Sequence, residues 1–248
     1  MRTEIGAARG SSAVWRVLDD EVARVRAQGR AEPRVVDVGG GTGVWAVPLA
    51  AAGCVVTVVD PNQNALAMLS RRAQETGVAD RVTVVADDTD ALAARVPAGS
   101  ADLVLAHGLL EVVDDPARAA AALAATVAPG GAVSVLAANR FAAVLHRALA
   151  GRLAEARHLL TGADGVLADD GESLRRRFDS SGLRALLESV GVEIALLQGD
   201  GVVSDSLGEA EAAQYGGDDL TDFETAASMV SPLRDIASRL HVLARRPG

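Results

Sequence analysis

From Arg34 onward the apolar positions fall into short β-branched runs, separated by Ala- and Leu-rich stretches with helical spacing. Runs without polar alternation predict strands buried on both faces, and their alternation with helices predicts a parallel sheet joined by right-handed crossovers. The runs Arg34–Val38, Val55–Val59, Val82–Ala86, Leu103–Ala106 and Ala132–Ala137 are read as five strands. Helices are expected to begin near Gly43, Pro61, Asp90 and Asp115, with Pro61 in the first turn of the second and an acidic cap before Pro116 in the fourth. After Ala137 the rhythm changes to one long helix over Phe141–Leu160 and a Gly/Asp-rich loop over Thr161–Gly171. A helix over Ser181–Ser189, a strand over Val192–Leu197, a mixed segment from Ser204 to Ser238 and a strand over Leu240–Ala244 complete the order. The expected fold class is α/β: a doubly wound, mostly parallel seven-stranded sheet with an antiparallel edge strand and a helical insertion after the fifth strand. The N-terminal segment is helical from about Ser12 and is expected to lie over the mouth of the sheet.

Composition narrows the picture. Aromatic residues make up only 2% of the chain, so the core must be built from Ala, Val and Leu. The net charge is −9 and there is no lysine, which argues against a broad grip on nucleic acid and excludes DNA as an expected partner. No stretch reaches the roughly 20 apolar residues needed to span a bilayer, and the start lacks an apolar signal core, so a cytoplasmic protein without a membrane partner is expected. Cys54 is the only cysteine, which leaves no internal disulfide, and no metal site is expected. His146 and His158 are too far apart for one metal face and His241 lies in an alternating edge strand, so none is given a ligand role.

The segment Val35-Val36-Asp37-Val38-Gly39-Gly40-Gly41-Thr42-Gly43 runs a buried strand into glycines that open a helix. Glycines there let backbone approach a ligand closely at the carboxyl edge of the sheet, where open α/β folds bind. A dinucleotide fingerprint would place its third glycine at position 44, which is Val44; the spacing Gly39, Gly41, Gly43 disfavours NAD. The next strand ends at Asp60, where a carboxylate accepts from ribose hydroxyls or caps the helix at Pro61. The third ends at Asp87-Asp88-Thr89-Asp90, placed to bracket an adenine or to serve as solvated turn residues.

With Asp102–His107 and Val127-Ala128-Pro129-Gly130-Gly131, these motifs resemble the class I S-adenosylmethionine-dependent methyltransferases from Arg34 to about Asn139. The resemblance implies S-adenosylmethionine as cofactor. Its methionine end would be held by Gly39, Gly41 and Gly43, its ribose by Asp60, and its adenine by Asp88 and Thr89, with Asp37, Gly40, Pro61 and His107 also binding the cofactor. The stretches His107–Pro116, Ala138-Asn139-Arg140 and Leu240–Pro247 thinly resemble bacterial enzymes that methylate the carboxylate of 5-carboxymethoxyuridine in tRNA. An arginine those enzymes carry in the sixth strand is replaced here within Gly199-Asp200-Gly201-Val202-Val203, at Gly201, and the basic run of their insertion is absent. One domain over 1–248 is expected: an N-terminal helical cap over 1–30, a cofactor-binding half over 34–138, a helical insertion over 141–180, and a C-terminal helix with edge strands over 181–248.

His107, at the end of the fourth strand, either contacts the cofactor or serves as a base for a hydroxyl or amine acceptor; a carboxylate acceptor needs none. Asn139 and Arg140 follow the fifth strand at the expected acceptor mouth, where Arg140 either forks an anionic acceptor or is a solvated cation. Arg175, Arg176 and Arg177 form the densest basic run and either face substrate or solvate the insertion. The expected activity is methyl transfer to an O or N nucleophile of a small acidic or hydroxylated metabolite, with tRNA as the alternative acceptor. A nicotinamide oxidoreductase and a non-catalytic cofactor-binding module acting through a partner are the competing classes.

Overall fold

The computed structural model describes residues 12–162, 165–166, 176–205 and 217–248. Parts of the expected 161–171 loop, Arg175 and residues 206–216 of the mixed segment lie outside the described residues. In chain order the elements are α1 (Ser12–Ala27), β1 (Arg34–Val38), α2 (Ala46–Ala51), β2 (Val55–Val59), α3 (Gln63–Glu75), β3 (Val82–Val85), α4 (Leu92–Arg95), β4 (Ala101–His107), α5 (Pro116–Thr126), β5 (Val127–Ala138), α6 (Arg140–Leu149), α7 (Leu153–Thr161), α8 (Ser180–Ser189), β6 (Glu193–Asp200), α9 (Gly217–Ala227) and β7 (Arg239–Arg245).

The seven strands form one sheet of order β3-β2-β1-β4-β5-β7-β6. The first five run parallel, and β7 runs antiparallel to both its neighbours. Antiparallel pairing is thus confined to one edge of the sheet, as expected, but β7 is inserted between β5 and β6, so His241 lies one strand inside that edge rather than on an alternating edge strand. Parity along each strand decides the layer that a side chain joins. Val36, Val38, Val104, Val133, Val135 and Val242 pack under α4, α5 and α8, whereas Val35, Val56, Leu103, Leu105, Ala132 and Leu243 pack under α1, α2 and α3.

Three helix boundaries differ from those expected. The turn Gly41–Trp45 delays α2 to Ala46. Asn62, not Pro61, caps α3, its side chain accepting from the N–H groups of Asn64 and Ala65. The expected Phe141–Leu160 helix is broken at Gly151, whose φ of 77° favours glycine, so α6 and α7 form a hairpin. The fourth helix begins as expected, with Asp115 accepting from Ala117 and Arg118 N–H and Pro116 in its first turn.

α1 lies along one face of the sheet and only its first turn reaches the mouth; Val14, Leu18 and Val22 bury its apolar stripe. The buried Glu21 carboxylate ties it down, accepting from Arg24 and, at 3.0–3.1 Å, from both terminal nitrogens of Arg245. Burial pushes this carboxyl up, but the two guanidinium groups outweigh it and hold it below its ordinary value. Its stabilisation is accordingly present above the ordinary carboxylate pKa and is lost as pH falls through the depressed value. Glu21→Ala is expected to cost about 1–3 kcal/mol, the lower end applying because both arginines can reach water. Urea denaturation of wild type and variant at neutral pH checks this, and an unchanged midpoint would remove the tie.

Candidate active site

The glycine loop at the carboxyl end of β1 is shaped by steric demands. Gly39, Gly41 and Gly43 all have positive φ. A Cβ at Gly43 would stand 2.2 Å from Leu69 Cδ1, and one at Gly40 would stand 2.6 Å from Asp37 Oδ2 and 2.8 Å from Val58 Cγ1. Loop and neighbouring strand are then pinned together by Asp60, whose Oδ2 accepts from Gly41 N–H at 2.9 Å and Oδ1 from Asn62 N–H at 2.8 Å. Asp60 thus stands at the loop, buried, with its carboxylate facing the glycine backbone.

Asp37 is buried beneath the same loop, and its Oδ2 has no hydrogen-bond partner among the described residues. Burial, reinforced by the Asp60 charge, pushes its carboxyl up to about 7. At the end of β3, Asp87 pairs with Arg95 at 2.7 Å, which together with the Asp88 N–H holds its carboxyl below the ordinary value. Asp88 caps the following turn by accepting from Ala91 N–H. Asp88, Thr89 and Asp90 border a cleft of about 210 Å³ completed by Val112, Val113 and Asp115. A larger cleft, about 600 Å³, lies at the opposite edge among Arg30, Asp102 and Pro129, away from the carboxyl ends of the strands.

His107 ends β4 with its ring edge-on to Trp45, the ring centroids 4.6 Å apart, and Trp45 in turn meets Trp15 of α1 at 4.5 Å. Two tryptophans in a chain with so few aromatics thus converge beside the glycine loop. His107 Nε2 is 2.8 Å from Ser134 Oγ. Burial, with a smaller effect from His241, holds its imidazole well below the ordinary value, so the ring is neutral at physiological pH.

The residues expected at the acceptor mouth are placed differently. Asn139 is buried; its amide donates to the carbonyls of Asp235 and Ala237, and its oxygen caps α6 by accepting from Phe141 N–H. Asn139 therefore works inside the scaffold and is not available to an acceptor. Arg140 is bound to Asp179 and to the Gly162 carbonyl and lies over the Phe141 ring. Arg176 donates to the carbonyls of Leu110, Val113 and Asp114. Arg177 is buried and donates to the Gly165 carbonyl, so neither it nor Arg176 is a solvated surface cation.

Two further residues at this edge escape a sequence reading. Because β7 is antiparallel, its first residue, Arg239, arrives at the carboxyl edge, where it pairs with Asp200 at 2.7 Å and Asp205 at 3.2 Å. It occupies the neighbourhood of Gly201, whose own φ is 73° and whose Cβ would meet Asp205 Oδ2 at 2.8 Å. Glu111, after β4, accepts from Ala138 N–H, and burial pushes its carboxyl up to about 7.

A glycine loop opposed by an acidic residue at the next strand end, on a sheet with β7 between β5 and β6, defines an S-adenosylmethionine-dependent methyltransferase. The chain belongs to the methyltransferase domain family, whose model matches residues 11–195. It is 26% identical over 240 residues to the tRNA 5-carboxymethoxyuridine methyltransferase of Escherichia coli strain K12, covering 94% of this chain and 87% of that protein. Over 100 residues, 40% of this chain and 41% of the relative, it is 43% identical to a ubiquinone biosynthesis O-methyltransferase of Ralstonia nicotianae. The fold is shared with an S-adenosylmethionine-dependent methyltransferase from Methanosarcina mazei at a TM-score of 0.61 and 16% identity, covering 90% of this chain and 96% of that one. The protein is an enzyme that uses S-adenosylmethionine. Among the described residues, no helix is long and apolar enough to cross a membrane and no cluster fits a metal ion.

Proposed function

We propose that the enzyme methylates an O or N nucleophile of a small hydroxylated acceptor. The observation that carries this reading is the engagement of the arginines around the crevice: Arg140, Arg176 and Arg239 each already meet a carboxylate or backbone carbonyls. An anionic acceptor would enter beside the Asp179, Asp200 and Asp205 carboxylates that these arginines already neutralise, whereas a neutral hydroxylated one would not meet that repulsion. In this reading Gly39, Gly40, Gly41 and Gly43 take the methionine end of the cofactor with Asp37 beneath it. Asp60 with Pro61 takes the ribose, Asp88 and Thr89 the adenine, and His107 an oxygen of the cofactor.

Bound S-adenosylmethionine supplies an electrophilic methyl on a positively charged sulfur. The crevice holds the acceptor in line, so its lone pair forms the new bond to carbon as the sulfur–carbon bond breaks, the bonding pair stays on sulfur, and the acceptor's O–H or N–H proton is lost to bulk solvent after transfer. Trp45, Trp15 and Leu109 border this end of the site and exclude water from it.

Asp37 gives the site a pH dependence. With its carboxyl near 7 before binding, the cofactor's ammonium group would favour the ionised form and lower that value. Binding should therefore release protons and strengthen as pH rises through about 7. Calorimetry of S-adenosylmethionine in buffers of different ionisation enthalpy reads this release; Asp37→Asn should abolish it, and equal release by the variant would assign the proton elsewhere.

A second reading, carboxylate O-methylation of 5-carboxymethoxyuridine in tRNA, is favoured by the relative that matches over 94% of the chain. The same assay tests both. Labelled S-adenosylmethionine is incubated with a panel of hydroxylated small molecules and with tRNA carrying that nucleoside. Label in a hydroxylated compound with little in tRNA is expected, because a chain of charge −9 without lysine has little to neutralise phosphates. Stoichiometric methyl ester in tRNA would replace the small-molecule reading.

A further inference from the structure

Four polar side chains stand in a row across one face of the sheet. His107, Ser134, His241 and Gln198 come from β4, β5, β7 and β6, the four adjacent strands at one side of the sheet. The register aligns them: His241 lies opposite both Gln198 and Leu136, and Leu136 lies opposite His107. Ser134, two residues before Leu136 on the same face, falls between the two rings. Its Oγ is 2.8 Å from His107 Nε2 and 2.9 Å from His241 Nε2, and His241 Nδ1 is 3.0 Å from the Gln198 amide nitrogen. Ser134, His241 and Gln198 are buried.

Buried polar groups are stable only when each donor meets an acceptor, and with the Gln198 amide nitrogen turned toward His241 the row closes head to tail in one direction. The Gln198 nitrogen only donates, so His241 Nδ1 accepts and the proton of that neutral ring lies on Nε2. His241 Nε2–H then donates to Ser134 Oγ, and the Ser134 hydroxyl donates to His107 Nε2. The proton of His107 is left on Nδ1. Burial holds both rings neutral, His241 at about 3 and His107 well below its ordinary value. His107 Nδ1 is enclosed and has no acceptor among the described residues.

We propose that Gln198, His241 and Ser134 are positioning residues that fix His107 as an Nδ1–H hydrogen-bond donor to an oxygen of the bound cofactor. This rests on the reading above that His107 lines the cofactor site. It assigns the imidazole a donor role and denies it the role of base: a lone pair at Nδ1 would require His107 Nε2 to donate to Ser134 Oγ, which leaves the Ser134 hydroxyl proton without an acceptor in the row unless the whole row inverts and the Gln198 amide presents its oxygen.

The test is long-range proton–nitrogen correlation spectra of the 15N-labelled full chain at neutral pH, with His107→Asn and His241→Asn identifying the resonances, paired with titration of S-adenosylhomocysteine. Expected are a His107 ring protonated at Nδ1, a His241 ring protonated at Nε2, and a shift of the His107 signals when S-adenosylhomocysteine binds. Gln198→Glu offers His241 an acceptor instead of a donor, reverses both tautomers and should raise the dissociation constant about tenfold, the equivalent of one hydrogen bond replaced by an opposed pair of acceptors. Should that variant not fold, Ser134→Ala cuts the row, removes the bias at His107 and should weaken binding by roughly two- to fivefold. A wild-type His107 protonated at Nε2 or at both nitrogens overturns the proposal, as does an unshifted His107 in the complex or an affinity that ignores the tautomer. Failure of the wild-type chain to bind S-adenosylhomocysteine is a separate result, which overturns the site assignment and the proposal with it.

Discussion

Gly43→Ala is expected to lower the unfolding free energy by about 2–5 kcal/mol and to abolish measurable cofactor binding. The backbone at Gly43 has φ of 78°, which costs an L side chain about 1–2 kcal/mol. The added methyl would also stand 2.2 Å from Leu69 Cδ1 and 3.2 Å from Val47 Cγ2. Leu69 is fully buried between α3 and the sheet, so it has nowhere to retreat without moving a helix, and overpacking of this kind adds about 1–3 kcal/mol. The same movement displaces the turn that presents backbone N–H groups at the end of β1. Thermal and urea denaturation with calorimetric titration of S-adenosylhomocysteine read both effects. A variant with wild-type melting and affinity would show that close packing of the loop on α3 is not what shapes the site.

Asp60→Ala is expected to weaken S-adenosylmethionine binding by about 2–4 kcal/mol, roughly 30- to 1000-fold, if its carboxylate accepts from the ribose. The variant should also lose about 1–2 kcal/mol of stability, because the N–H groups of Gly41 and Asn62 lose their acceptor. Asp60→Asn separates the two effects: its amide oxygen keeps one backbone hydrogen bond, so stability recovers more than affinity. An Asp60→Ala protein with an unchanged dissociation constant would leave Asp60 a loop anchor only.

Strands were the most legible elements because a parallel sheet covered on both faces demands uninterrupted apolar runs; Arg34–Val38 and Val55–Val59 have the expected bounds. Helix starts were less legible where a side-chain cap competes with a proline, as Asn62 does with Pro61, and a break at Gly151 is hidden inside a helical spacing that Ala and Leu continue on both sides. The glycine loop and Asp60 were legible because their spacing along the chain is the spacing in space. The acceptor side was not. Arg239 reaches the carboxyl edge only because β7 is antiparallel and lies between β5 and β6, and Asn139 and Arg140 face partners 22 to 98 residues away. One signal could have been found: Ser134, Gln198 and His241 are polar residues at the buried parity of strands that are otherwise apolar, and such positions require partners.

Calorimetric titration of the full chain with S-adenosylhomocysteine and, separately, with NAD decides whether the glycine loop is a methyl-donor site. Saturable one-to-one binding of S-adenosylhomocysteine and none of NAD is expected, because the glycines stand at Gly39, Gly41 and Gly43 with Val44 where a dinucleotide loop needs its third glycine. Micromolar binding of NAD with no response to S-adenosylhomocysteine would contradict it.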